Sequence, residues 1–359
     1  MPNSLRVGVI GAGNISATYL KNIPTFPELQ PVAVADMDMN RAEARAREYG
    51  IEARPVDALL TASDIDLVVN LTVPAAHADI SLRAIAGGKH VHTEKPLAIT
   101  PSDGPAVLAA AAQAGLRVGA APDTFMGAAQ QTCRHLIDQG VIGQPVAAVA
   151  FMMSRGPEPW HPDPAFFYKP GGGPVLDMAP YYLTALINLL GPVKRVVSMT
   201  RASFPERVVG SGPKKGERIP VETPTHMAGT VEFASGPIAT VIMSFDIAAH
   251  TLPNIQVYGS EGSLMVPDPN MFDGEVRLRR AGEQEWRPVA HTHPITHNAR
   301  GIGAADMAGA ILAQRPHRAS GELAGHVLEV MLGLLRSSDE GKHLDIVSRI
   351  ERPEPMPGL

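Results

Sequence analysis

The chain predicts an α/β protein in two parts: a doubly wound parallel sheet, then a second domain built on a large, mostly antiparallel sheet. Three observations predict it. An apolar run (Val7, Val9, Ile10) feeds straight into Gly11-Ala12-Gly13. A second run, Val32-Ala33-Val34-Ala35, ends in Asp36. From Val146 onward, short β-rich runs follow one another between Gly and Pro turns, most with no helix between them.

The first run and its glycines read as a strand-to-helix turn, with the helix beginning around Asn14 and Ile15. Gly11 permits the tight turn, and Gly13 lets a pyrophosphate approach backbone N–H groups. Ser16 stands where a third Gly or Ala is usual, a small residue that still allows helix and strand to pack. Asp36 falls where a dinucleotide fold places the acid that binds the adenosine ribose, and its charge would repel a 2′-phosphate. This favours NAD over NADP. Arg41 could instead receive that phosphate, so NADP stays open.

Next come a charged, Ala-rich helix (Met39 to Tyr49), a turn around Ile51 to Arg54, and a buried strand (Asp66 to Leu71). Thr72-Val73-Pro74 opens a helix running to Ala86 and ending at Gly87-Gly88. The strand Lys89 to Thr93 delivers Glu94-Lys95-Pro96 at its carboxyl end, where such sheets place ligands. A helix over Pro101 to Ala114 and a strand over Arg117 to Ala120 close the first domain, residues 1–121. Residues 122–350 form the second domain. Its strands are Val146 to Met153, Val193 to Ala202, Met227 to Phe233, Ile238 to Phe245, Asn254 to Tyr258 and Ser263 to Val266; its helices are Thr124 to Gln139, Val175 to Leu190, Gly303 to Ala313 and Leu323 to Ser337. The last helix is a candidate to pack back on the first domain. The proline-rich stretch 351–359 reads as a loose tail.

The 359 residues suffice for two domains with real cores. A formal net charge of −5 leaves no basic footprint for nucleic acid. The single cysteine, Cys133, reads as a small helix-face residue, excludes a disulfide framework and fits a reducing compartment. The first apolar stretch is too short to span a membrane, so the protein reads as cytoplasmic.

In this order, the Gly11/Gly13 turn, Thr72-Val73-Pro74 with His77, Gly87-Gly88-Lys89-His90-Val91 leading to Glu94-Lys95-Pro96, and Gly171 to Tyr181 resemble the Gfo/Idh/MocA family over nearly the whole chain. The resemblance implies a Rossmann domain followed by a domain with an open sheet, whose exposed face commonly makes a homodimer or homotetramer. It also implies oxidation or reduction at a carbon of a sugar, cyclitol or related alcohol. Moving hydride from a secondary alcohol to nicotinamide requires a group within reach to take the hydroxyl proton. Lys95, by the family pattern, donates to the reacting oxygen and favours the developing alkoxide. Glu94 is expected to orient the strand end or the cofactor, and Pro96 to fix the backbone, with a cis bond suggested by the resemblance. His77 falls in the nicotinamide-side motif, with a capping or buried structural role as the alternative.

Asp177 and Tyr181 lie four apart in a helical stretch and so share one face. Many family members carry histidine at the second position; tyrosine resembles the branch that includes glucose-fructose oxidoreductase. A free phenol is a poor base at neutral pH, but a neighbouring ammonium such as Lys95 would lower its pKa. Which of the two takes the proton stays open, and Tyr182 is assigned to packing. The loop Arg155 to Asp163, dense in donors and acceptors with one large aromatic, suits a polyol. Arg155, Trp160 and His161 of this loop, Lys169 beyond it and Asp123 just after the last strand of the first domain are the candidate substrate residues. His291, His293 and His297 cluster in sequence but lack an acidic partner, so no metal is expected. The leading function is an NAD-dependent sugar or cyclitol dehydrogenase. Redox-assisted glycoside cleavage and a non-catalytic NAD(P)-binding regulator are the alternatives.

Overall fold

The computed structural model describes residues 4–358 and divides into two compact units, one taking the chain up to Thr124 with Asn298–Leu328, the other Phe125–His297 with the chain from Glu329. In the first, strands β1 (Leu5–Ile10), β2 (Leu29–Ala35), β3 (Glu52–Ala53), β4 (Leu67–Asn70), β5 (His90–Thr93) and β6 (Val118–Ala120) form one sheet in the order β3-β2-β1-β4-β5-β6. Every pairing is parallel. This is the doubly wound order, whose direction reverses between β1 and β4. Period-2 alternation sorts the strand residues into two cores: Val7, Val9, Leu67 and Val69 lie in one, Ile10, Ala33, Ala35, Val68 and Val91 in the other. Helices α1 (Ser16–Asn22), α2 (Met39–Tyr49), α3 (Val56–Thr61), α4 (His77–Ala86) and α5 (Asp103–Ala114) connect the strands. The turn expected around Ile51 to Arg54 contains the edge strand β3.

Residues 298–328, expected in the second domain, belong to the first unit instead. The Asn22 side-chain amide donates to the carbonyls of Asn298 (2.9 Å) and Arg300 (3.0 Å). Ala304, Ala305, Met307 and Ala308 bury in the same core as Val7, Val9 and Tyr19. Those four residues follow the helices of the second unit, α6 (Ala128–Asp138) and α7 (Gly173–Leu190), and lie on α8 (Ile302–Leu312); α9 (Gly321–Glu340) comes next, with its first turns in this unit.

The second unit is built on a nine-stranded sheet. Its strands are β7 (Pro145–Met153), β8 (Val193–Arg201), β11 (His226–Phe233), β12 (Ile238–Ser244), β13 (Ile255–Gly259), β14 (Gly262–Val266), β15 (Val276–Arg280), β16 (Arg287–Val289) and β17 (Leu344–Asp345). A separate hairpin pairs β9 (Glu206–Val208) with β10 (Arg218–Pro220). The sheet order is β16-β15-β14-β13-β7-β12-β11-β8-β17, antiparallel except where β7 meets β12. Helices α6 and α7 pack on one face. Val149, Ile242, Ala228 and Met265, in alternate positions, stay half-buried. The edge strands and the hairpin carry too few apolar residues to stand out as strands in the sequence.

The tail is not loose. Arg352 donates to the Asn188 carbonyl (2.7 Å) and to Asp138 (2.6 Å), Arg134 donates to the Pro353 carbonyl (3.0 Å), and the Met356 N–H donates to Gln131 (2.8 Å). The buried polar side chains of α6 need partners, and the tail supplies them for Gln131 and Arg134.

Candidate active site

The glycine turn lies against the loop after β4. A Cβ on Gly11 (φ +106°) would come within 2.5 Å of the Leu71 carbonyl oxygen, so only glycine lets the two loops meet at the reversal of strand order. A Cβ on Gly13 would meet nothing within 4 Å; open space lies where a pyrophosphate would approach, and the residues fit a dinucleotide. Asn14 is exposed and Ile15 half-buried. Ser16 is fully buried and donates its hydroxyl back to the Gly13 carbonyl (2.6 Å), tightening the turn where a third glycine is usual.

Asp36, at the end of β2, holds that turn. One carboxylate oxygen accepts the Ala12 N–H (2.7 Å) and the other the Asp38 N–H (2.9 Å). Each oxygen keeps a further lone pair, half-exposed, for a ribose hydroxyl. Arg41 is well exposed and pairs loosely with Asp38 at 3.5 Å.

Across the reversal point a second polar cluster orders the ends of β4 and β5. Asn70, buried at the end of β4, accepts the Thr72 hydroxyl (2.7 Å) and donates to the His77 carbonyl (3.0 Å); its own carbonyl receives the Glu94 N–H (2.8 Å). The His77 ring is buried with Nδ1 2.7 Å from the Pro96 carbonyl oxygen and Nε2 3.0 Å from that of Thr72. A neutral ring donates to only one of them. Burial holds the His77 pKa below the ordinary histidine value, against the pull of the two carbonyls. The His77 ring thus sits between the Thr72 and Lys95 loops and bonds to one of them. Glu94 accepts the buried Tyr19 hydroxyl (2.8 Å) on one oxygen and the Lys95 N–H (3.0 Å) on the other. The Lys95–Pro96 bond is cis, and Lys95 is half-buried at the carboxyl end of β5.

Asp123 corrects an expectation. It does not face substrate: it is fully buried and accepts the N–H groups of Gly301 (2.8 Å) and Gly303 (3.1 Å) at the start of α8. Burial pushes its pKa up to about 6, although the two N–H donors favour the charged form.

In the second unit, α7 is buried along almost its whole length; the exceptions are Asp177, Met178 and Tyr181. Those positions fall on one stripe at helical spacing. Tyr182, one residue on, is buried and its hydroxyl accepts from the Asn254 amide (2.9 Å).

The loop before α7 separates its candidates. Trp160 is 67% exposed and His161 half-buried, in edge contact with each other at 5.5 Å. His161 also meets Phe166 and Phe167, both at 5.4 Å. Arg155 stands apart, lining a cleft with the β9–β10 hairpin, and Lys169 is exposed at the loop's end. His291 bonds the Gly274 carbonyl (3.0 Å), His293 the Met356 carbonyl (3.0 Å), and His297 is exposed. Among the described residues no three His, Cys, Asp or Glu side chains converge to hold a metal ion. Burial pushes the Cys133 thiol up, which leaves it unreactive. Among the described residues no helix is long and apolar enough to cross a membrane.

Tyr19 and Asn70 did not stand out in the sequence. Asn70 had a signal, a polar residue closing an all-apolar strand; Tyr19, inside an ordinary amphipathic helix, had none.

Two family models match the chain: the GFO_IDH_MocA oxidoreductase family, NAD-binding Rossmann fold, over residues 5–121, and the GFO/IDH/MocA C-terminal domain over 130–265. The chain is 27% identical over 293 residues to inositol 2-dehydrogenase of Rhizobium meliloti, covering 82% of this chain and 84% of that protein. It is 30% identical over 297 residues to 1,5-anhydro-D-fructose reductase of Ensifer adhaerens, covering 79% and 83%. The crystal structure of an NAD binding oxidoreductase from Klebsiella pneumoniae shares the fold, with a TM-score of 0.83 at 22% identity over 96% of this chain and 100% of that one.

Proposed function

Because the chain belongs to the GFO/IDH/MocA family of NAD-binding oxidoreductases, we propose that it oxidises a ring hydroxyl of a sugar, cyclitol or glycoside, or runs the reverse reduction, with Lys95 and Tyr181 handling the proton and Asp177 orienting the ring. The observation that carries this reading is the stripe of α7, where Asp177 and Tyr181 are half-buried side by side on a helix whose other residues, Met178 apart, are buried. Relatives named for inositol, anhydrofructose and glucoside substrates support a polyhydroxy ring as the class.

When bound, NAD accepts or returns the hydride. The chain supplies the rest. The Lys95 ammonium donates to the reacting oxygen and stabilises the charge that develops as its proton leaves. Tyr181, as its phenolate, takes that proton, and Asp177, one turn earlier on the same face, accepts a neighbouring substrate hydroxyl and orients the ring. Asp36 accepts the ribose hydroxyls and disfavours a 2′-phosphate, so NAD is the working cofactor. Trp160 and His161 offer an aromatic face to the C–H side of the ring. The half-buried apolar positions of the large sheet, Val149, Ile242, Ala228 and Met265, support its face as the surface on which copies of this chain associate.

The test is absorbance at the reduced-nicotinamide band with NAD and NADP separately, across monosaccharides, inositols and simple glycosides. Net NADH formation with one of them is expected. Glycoside cleavage without net reduction would replace the dehydrogenase with a redox-assisted lyase, and cofactor binding with neither would leave a regulator.

A further inference from the structure

The second unit holds a cleft of about 470 Å³ between the loop after β7 and the β9–β10 hairpin. That is the size of a small-molecule site. Asp177 and Tyr181 do not line it. It lies at the same end of the sheet as the first turns of α7. The cleft takes Arg155 and Glu158 from just beyond β7, and Phe245 and Asp246 from just beyond β12, whose last residues, Met153 and Ser244, pair in register. Gly173, the first residue of α7, packs against the Pro224 carbonyl, close to the His226–Ser244 pair, and the far end of α7 meets Ser235 in the β11–β12 turn.

Bonds within the chain hold the cleft walls together. Gly210 donates its N–H to the Glu158 carbonyl (2.9 Å), the Ser211 hydroxyl donates to that of His161 (3.2 Å), and Lys214 pairs with Asp163 (2.7 Å). Inside, the Arg207 guanidinium pairs with Glu158 (3.2 Å) and with Asp246, and lies over the rings of Tyr168 and Phe204 at 5.4 and 5.2 Å. The Tyr168 hydroxyl donates to Glu158, and the Thr225 hydroxyl donates to Asp246 (2.7 Å).

The charges decide the ligand. Two carboxylates against one guanidinium leave the wall with one net negative charge. Arg155, exposed and in no ion pair among the described residues, offsets it. Glu158 and Asp246, already paired with Arg207, Tyr168 and Thr225, keep lone pairs that would repel an anion; Arg155 would repel a cation, and a purely apolar molecule would cover Arg155 without giving it a partner. Phe204 and Val208, 50% and 52% exposed, add an apolar face. A neutral ring with one C–H face and hydroxyls that both donate and accept satisfies every part of this lining. We propose that the cleft binds a second sugar ring, so that the substrate is a disaccharide or larger glycoside whose other ring is the one oxidised.

This rests on the dehydrogenase reading, and the experiment separates the two. NADH formation is compared for methyl glucoside and methyl galactoside against cellobiose, maltose, gentiobiose and melibiose. At least one disaccharide is expected to exceed its methyl glycoside in kcat/KM by about tenfold. Phe204→Ala and Val208→Asn, both at half-exposed positions, should each cut that advantage several-fold. Equal values for every pair, or an advantage that survives both substitutions, would overturn the proposal. If no sugar is oxidised, the dehydrogenase reading fails, and calorimetry of the same disaccharides into NADH-loaded protein still reads the cleft. Binding weakened about tenfold by Phe204→Ala supports it; no binding, or binding unchanged in the variant, overturns it.

Discussion

Tyr19, buried in α1, donates its hydroxyl to Glu94 at 2.8 Å, and Glu94 in turn accepts the N–H of Lys95 at 3.0 Å. The helix that follows the glycine turn thus fixes the strand end that presents Lys95. Hydrogen bonds to a charged acceptor contribute about 1.5–3 kcal/mol, and their loss leaves a carboxylate partly unpaired. Tyr19→Phe should therefore lower stability by about 2 kcal/mol in urea titration and reduce kcat several-fold. Unchanged kcat would remove Glu94 from the chain of positioning.

Asp36 sets the choice of cofactor by charge. Two unit charges about 4 Å apart repel by about 4 kcal/mol at an effective dielectric near 20. Asp36→Ser should raise kcat/KM for NADP relative to NAD by at least tenfold. The variant should also bind NAD more weakly, because the Ala12 and Asp38 N–H groups lose their acceptor.

Tyr181 and Tyr182 are adjacent and separable. Tyr181→Phe should lower kcat by about 10²–10⁴-fold, the usual range for a lost acid/base group, with little change in melting temperature. Tyr182→Phe should do the reverse, costing about 1 kcal/mol of stability through the Asn254 bond while turnover persists.

Asp123 gives stability a pH signature. Its folded pKa near 6 stands above the ordinary 3.8, so between those values the native state holds a proton that the unfolded chain has lost. Its contribution is greatest below about pH 4 and falls as pH rises toward 6, by up to about 3 kcal/mol. Urea midpoints of wild type and Asp123→Asn, compared at the two ends of that window, should show the wild type losing ground to the variant as pH rises. A constant difference would mean that Asp123 is ionised throughout.

The first domain was legible because its signals are local. Glycines at a strand end, an acid closing the next strand and Glu-Lys-Pro at the end of β5 each follow from their neighbours in sequence. Asp123 was misread because its partners, Gly301 and Gly303, lie far along the chain, and a carboxylate beside a strand end looks the same whether it caps a distant helix or faces a ligand. Residues 298–328 and the tail were misplaced for the same reason: long-range bonds from Asn22, Arg134 and Gln131 leave no periodicity to read. The α7 stripe was half legible. Spacing put Asp177 and Tyr181 on one face, but only packing shows that nearly all the rest of that helix is buried.

The most direct test of the account is a single turnover of the NAD-loaded protein with the sugar or cyclitol found active in the screen, in wild type and in Lys95→Met. The account predicts a burst of reduced nicotinamide in the wild type and a rate at least 10²-fold slower in the variant, with NADH affinity retained. A variant that reduces NAD at the wild-type rate would contradict the role of Lys95 and with it the proposed chemistry.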